Sequence, residues 1–168
     1  MPKLDSTFDK RFGPHWLNYL LQTIFAAASV FVVLATLRQQ NLLVAASLAA
    51  TAFTVFAMPS SVTASTRNVV GGHIIGLVFG SAFALMRPES ALAQDAMFAL
   101  AVGSAMLVMA VTNTEHPPAA GTALGVVIAG FSWRIVFGVV VGVAVLALIH
   151  NLLRPFLRDL IAAPEDHV

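Results

Sequence analysis

Residues 17–37 read LNYLLQTIFAAASVFVVLATL, twenty-one positions without a single Lys, Arg, Asp or Glu. At 1.5 Å per residue, a helix of that length covers about 31 Å, the thickness of the hydrocarbon core of a bilayer. Working outward, the same gap in charge recurs at Leu42–Met58, Val69–Met86, Ala96–Thr112, Pro117–Trp133 and Ile135–Leu153. A charge at the centre of a membrane helix costs about 2.5–3.5 kcal/mol. Repeated exclusion of charge is what that penalty produces. The composition agrees. The chain of 168 residues is 58% apolar and 10% charged, against about 25% charged in soluble domains. A soluble core could not hide this much apolar surface. The sequence therefore predicts an all-α, polytopic transmembrane bundle of five to six spans.

Three regions follow. Residues 1–16 are polar and mixed in charge, with Phe8, Phe12 and Trp16 on one helical face. They read either as an interfacial segment on the membrane or as a solvated lead-in, and Gly13-Pro14 reads as a break before the first span. Residues 17–153 form the membrane domain, and residues 154–168 a polar tail. The first apolar run is too long for a cleaved signal peptide and reads as a retained span. The absence of cysteine excludes disulfides and thiolate metal sites. A net charge of +1 points to no nucleic-acid partner. No cofactor, metal site or enzymatic constellation is read.

Ala119–Phe131 follows a double proline and is short. It reads as a short helix, a re-entrant half-helix or part of a tilted span. The sequence also hints at an internal repeat. Ala49-Ala50-Thr51-Ala52-Phe53 resembles Ala120-Gly121-Thr122-Ala123-Leu124. Each stretch is followed by a loop, an arginine (Arg67 or Arg134) and a glycine at i+4 (Gly71 or Gly138). Two units of three helices would be related by inversion, as in many transporters. With six crossings, Lys3, Lys10, Arg11, Arg67, Arg154 and Arg158 share one side, and Arg38, Arg87 and Arg134 the other. The positive-inside rule favours that count.

The candidate site residues lie at helix starts. Pro117 and Pro118 suit the first turn of a helix, with His116 or Glu115 at its cap. Such an end carries free N–H groups and a partial positive charge suited to an anion, or it is merely a rigid turn. Arg67-Asn68 and Arg134 open helices too, reading either as an anion clamp or as interfacial arginines. His73 reads as a core residue, or as a proton carrier if it faces water. His150 reads as interfacial. Gly72, Gly76 and Gly80, and likewise Gly138 and Gly142, form grooves for close helix packing.

The stretches Ala50-Thr51-Ala52 with Pro59, Arg67-Asn68-Val69-Val70-Gly71-Gly72-His73, and Glu115-His116-Pro117-Pro118-Ala119-Ala120-Gly121-Thr122-Ala123 occur in an order that resembles the HPP family of integral membrane proteins. The resemblance covers about residues 15–155. It implies a membrane protein, in bacteria of the inner membrane, with about four spans where five or six are counted here. It also implies a nitrite-type anion as substrate, because plastid and cyanobacterial relatives are linked to nitrite transport. The resulting expectation is a transporter or channel for a small inorganic anion. Arg67, Asn68, His73, His116, Pro117, Pro118, Thr122 and Arg134 would form its site. Six short helices shield a polar path poorly, so a homo-oligomer is expected. The alternative is a non-transporting subunit that docks a partner protein through its glycine faces.

Overall fold

The computed structural model describes residues 12–37, 41–86 and 88–161. Six α-helices account for nearly all of them: α1 (Phe12–Leu37), α2 (Leu42–Ala57), α3 (Thr66–Ala84), α4 (Ala91–Val111), α5 (Pro117–Ala129) and α6 (Trp133–Leu153). There is no strand among the described residues. Helices α1, α4 and α6 are long and apolar enough to cross a bilayer, whereas α2 and α5 are shorter apolar helices. Lys3, Phe8, Lys10, Arg11, Arg38, Arg87 and residues 162–168 lie outside the described residues.

Each helix starts and stops for a local reason. Asn41 caps α2, its Oδ1 accepting the Val44 N–H at 3.0 Å, and Pro59 follows its end. Ser65 caps α3 through the Asn68 N–H. Ser90 caps α4 through Ala93 N–H. This cap lets α4 start five residues before the charge-free stretch at Ala96, with Asp95 exposed on its first turns. The break expected at Gly13-Pro14 falls at the next residue: α1 runs from Phe12, but its backbone is non-helical at His15 (φ −124°, ψ 19°), where a short first piece meets the long helix at a kink. Proline in the first turn removes only an N–H that has no intrahelical partner.

The helices run alternately up and down. One end of the bundle collects the start of α1, α3 and α5 and the finish of α2, α4 and α6. Thr66 on α3 donates to Asn151 near the end of α6 at 3.0 Å, and Arg67 donates to the Thr112 carbonyl at 2.9 Å. The tail after α6 is docked at this end. Leu160 N–H donates to the Ala57 carbonyl (2.9 Å) and Tyr19 Oη to the Leu160 carbonyl (2.9 Å). Buried Gln22 holds both the Phe56 and the Arg158 carbonyls and accepts the Arg158 N–H. Residues 157–160 are thus fastened to α1 and α2 through backbone groups, beyond what a polar tail requires.

Helix α5 occupies the centre, against α2, α3 and α4, while α6 packs on α1, α2 and α3. The glycine groove of α3 is filled by α5, which runs parallel to it. A Cβ on Gly72 would lie 2.8 Å from His116 Cβ, one on Gly76 2.5 Å from the Ala119 carbonyl oxygen, and one on Gly80 2.7 Å from the Ala123 carbonyl oxygen. These neighbours are mostly backbone and cannot yield. The groove is therefore closed within the chain, which removes the α3 glycines from any partner-docking face. Gly138 and Gly142 are also buried, on the inward face of α6 with Val139, Val143 and Leu146.

We predict that Gly76→Ala destabilises the protein by about 1–3 kcal/mol, the usual effect of overpacking, seen as a lowered unfolding midpoint in detergent. Gly103, where an added Cβ would meet nothing within 4 Å, is the control. Gly103→Ala should be neutral, or stabilising by up to about 1 kcal/mol from helix propensity.

Candidate functional site

A polar cluster sits where α2, α3 and α5 meet. Helix α2 contributes Ser47 and Thr51, one turn apart; α3 contributes His73; α5 contributes Thr122 and its cap residue His116. Thr51 and Thr122 have no exposed surface, and both histidines are 1% exposed. The cluster lies inside the bundle, because α5 begins there. His116 packs against Gly72, six residues into α3, or about 9 Å from its first residue. Pro117 and Pro118 fix this start at the first two positions of the helix. Non-helical backbone at such depth is tolerated only when it is enclosed by protein or lines a cavity. Here the segment is half enclosed: Thr114 and His116 turn inward and are buried, while Asn113 and Glu115 are exposed.

The contacts form one continuous chain. Ser47 Oγ lies 2.8 Å from Thr122 Oγ1, and Thr122 Oγ1 lies 2.8 Å from His73 Nδ1. His73 Nε2 lies 2.8 Å from Thr51 Oγ1, which lies 3.1 Å from His116 Nε2. His116 Nδ1 ends the chain, 2.8 Å from the Thr63 carbonyl. The rings of His73 and His116 stand 5.1 Å apart between centroids.

Counting donors orients this chain. The Thr63 carbonyl can only accept, so His116 Nδ1 carries a hydrogen. In the neutral ring Nε2 is then an acceptor, and Thr51 donates to it. Thr51 must in turn receive from His73 Nε2–H, which leaves His73 Nδ1 to accept from Thr122, and Thr122 to accept from Ser47. Every ring nitrogen is satisfied with both histidines neutral. No Asp, Glu, Lys or Arg side chain among the described residues hydrogen-bonds to the cluster.

A second layer holds the segment before α5. Asn68 is 3% exposed. Its Nδ2 donates to the Glu115 carbonyl at 3.0 Å, while its Oδ1 accepts from Ser65 Oγ at 2.9 Å. Asn68 thereby joins the cap of α3 to the entry of α5. His150, in the last turn of α6, is 2% exposed; it faces the Pro59 carbonyl, and its Nε2 is buried without a partner.

The structure brings together His73, His116, Thr122 and, one layer out, Asn68. Pro117 and Pro118 set the helix start that positions two of these. The arginines do not join them. Arg67 is exposed and reaches along the surface to Thr112. Arg134 is exposed at the start of α6, seventeen residues from Asn151 and thus about 25 Å along the helix from the end where Arg67 lies. A single clamp of two arginines is therefore ruled out by distance. The start of α5 also lacks the expected set of free donors: the prolines have no N–H, and the Ala119 N–H donates to the His116 carbonyl at 2.8 Å. Sequence reasoning missed Thr51 and Ser47 as site residues. The signal for Thr51 was its match to Thr122 in the repeat, and Ser47 stands one helical turn before Thr51.

The fold and this enclosed polar centre define a polytopic α-helical integral membrane protein. The HPP transmembrane region family matches residues 13–158, and the chain belongs to that family. One curated relative, a transmembrane protein of Dictyostelium discoideum, is 31% identical over 112 residues, covering 67% of this chain and 35% of its own length. A second transmembrane protein of the same organism is 36% identical over 78 residues, covering 46% of this chain and 27% of its own. The chain thus spans about a third or less of the length of these relatives. No solved structure matches.

We predict that Thr122→Val strands the buried His73 Nδ1 lone pair and costs about 1–3 kcal/mol. Thr122→Ser keeps the hydroxyl and should cost clearly less. Unfolding midpoints of the two variants in one detergent check this order.

Proposed function

We propose that this protein is a membrane transporter for a small inorganic anion, with nitrite the first substrate to test, and that the His73–Thr51–His116–Thr122 cluster is its working centre. The observation that carries the reading is the convergence of two histidines and two threonines, from three helices, on one buried hydrogen-bonded point of the bundle. Ionisable residues within a membrane domain are disfavoured. Packing alone would be better served by apolar side chains. Nitrite itself comes from the family resemblance, and so does the assignment to the inner membrane of a bacterium.

The helix arrangement supports a transporter of two inverted halves. Exchanging α1–α2–α3 with α4–α5–α6 carries the set of helix neighbours onto itself. The α1–α2 contact becomes α4–α5, α1–α6 becomes α4–α3, and α2–α6 becomes α5–α3, while α2–α5 and α3–α6 map onto themselves. Thr51 and Thr122, matched in the sequence repeat, both bind His73. In transporters of this kind the substrate site lies at the interface of the repeats. Six crossings would leave the described parts of both chain ends on one side, with Arg67, Arg154 and Arg158, and Arg134 opposite.

In this reading Arg67 and Arg134 serve opposite mouths, raising the local concentration of anions by their charge. The passage between them runs by the cluster. Assembly into a homo-oligomer would help α2 and α5 to be shielded from lipid: α5 is only 13 residues long, or about 20 Å. No enzymatic activity is assigned.

The test is nitrite flux into proteoliposomes. Wild-type protein should give flux above protein-free vesicles. His73→Gln and His116→Gln, each folded by size exclusion and circular dichroism, should lower it by about tenfold or more, equivalent to about 1.4 kcal/mol. Arg134→Ala should lower it by less. No flux of nitrite, nitrate or formate under any gradient would sink the reading.

A further inference from the structure

The Thr51 hydroxyl has one hydrogen and two lone pairs, so it can serve three partners. It has three: the Ser47 carbonyl at 3.0 Å, His73 Nε2 at 2.8 Å and His116 Nε2 at 3.1 Å. With both rings neutral only two of them can be used at once. Thr51 accepts from His73 and donates to His116, and the Ser47 carbonyl gets nothing from it. The third partner comes into use when the cluster gains one proton. If that proton is on His116 Nε2, both rings donate to Thr51, and the Thr51 hydrogen turns to the Ser47 carbonyl. If the proton is on His73 Nδ1, that ring donates to Thr122, Thr122 donates to Ser47 Oγ, and Ser47 donates to the Val44 carbonyl at 3.0 Å. In that state Thr51 still donates to His116. Both charged states satisfy every donor with groups already in place.

We propose that the cluster is a one-proton carrier, and that Thr51 relays the proton between His73 and His116. In the relay the His73 Nε2–H bond breaks as a new O–H bond forms on Thr51, while the original Thr51 O–H bond breaks as an N–H bond forms on His116 Nε2. His73 goes from imidazolium to the neutral Nδ1–H tautomer, whose bare Nε2 then accepts the Thr51 hydrogen while Nδ1 still donates to Thr122. His116 goes from neutral to imidazolium, donating from Nε2 to Thr51. The state in which both rings donate to Thr51 is reached when the proton instead enters at His116. No hydrogen is gained or lost, and nothing is oxidised. A second proton is excluded, because two imidazolium rings 5.1 Å apart would repel strongly in this enclosed site.

Among the described residues, no other charged group hydrogen-bonds to either ring. Helices α2 and α5 contain no titratable side chain. On α3 there is only Arg67, turned out to the Thr112 carbonyl. Glu115 beside His116 is exposed, and it is its backbone carbonyl that meets Asn68. Asp95 on α4 and Arg134 on α6 are at the far end. His150 on α6 faces Pro59, Arg154 follows α6, and His15 and Tyr19 of α1 lie by the docked tail. None of these hydrogen-bonds to either ring. A groove between α2 and α5 is lined by Ser47 and Thr63, the two ends of the hydrogen-bond chain, together with Ala50, Pro117 and Gly121. The groove is largely apolar, with Leu43, Phe53, Met58 and Leu124 also in its wall, and both ends of the hydrogen-bond chain border it while the middle is sealed.

This inference deepens the transport reading by making a proton the co-substrate, and it rests on that reading for its physiological meaning. Its test does not need flux. The full chain in lipid bilayers, with ¹⁵N-labelled histidine, is followed by solid-state NMR from about pH 8 down to about pH 3, a range that extends well below histidine's ordinary titration because burial disfavours the charged ring. Single His→Gln variants assign the rings. As the pH falls, the His73 and His116 signals should move together, with one midpoint and one proton gained per pair. Thr51→Val should split them into unlike midpoints, and Thr51→Ser should restore the common one. Independent titration in wild type, behaviour unchanged by Thr51→Val, or no proton gained by either ring across the range would each overturn the relay. None of those results would touch the flux measurement, so the two readings fail separately.

Discussion

Inside a bilayer no water is at hand to satisfy a polar group, so each must find its partner within the protein. That constraint governs the centre of this molecule. Two imidazoles, three hydroxyls and the broken backbone before α5 lie together in a bundle whose core is mainly apolar. They persist because each completes another: Thr63 fixes His116, His116 orients Thr51, Thr51 orients His73, and His73 orients Thr122. Removing one member would leave its neighbour with an unmet group, at about 1–3 kcal/mol each. The glycines of α3 serve the same end. Without the backbone approach at Gly72 and Gly76, α5 could not come close enough to bring Thr122 to His73 Nδ1, or His116 to the Thr51 hydroxyl that His73 Nε2 also meets.

Much of this was legible in the sequence, for reasons that can be named. Exclusion of charge located the helices within a few residues, because the cost of burying a charge in lipid is large and indifferent to detail. Cap residues moved the boundaries: Ser90 starts α4 ahead of Asp95, and Trp133 and Arg134 belong to α6. The glycine groove was legible because only small residues at four-residue spacing permit a close crossing. What it packs against was not. His73 and His116 stood out by type, but Thr51 and Ser47 did not. A hydroxyl is common in membrane helices, and its meaning here comes wholly from what lies across from it. The arginines misled because sequence records that each opens a helix, not that the two helices start at opposite ends.

The separation of the arginines has a consequence for mechanism. The enclosed centre carries no fixed positive charge, so an anion passing it would meet only neutral dipoles. A proton held between His73 and His116 would supply positive charge there without a permanently buried ion. Proton and anion would then cross the centre with little net charge, which lowers the electrostatic cost of passage. The family membership supports a shared membrane architecture; nitrite as the cargo comes from the family resemblance and belongs to the proposal.

The most direct measurement of that coupling is the pH inside proteoliposomes, read with a trapped dye, when a nitrite gradient is applied. Wild-type protein should acidify the lumen under an inward gradient, faster than protein-free vesicles, and Thr51→Val should return the rate to that background. Acidification by Thr51→Val as fast as by wild type, or nitrite entry through the wild-type protein with no accompanying proton, would contradict it.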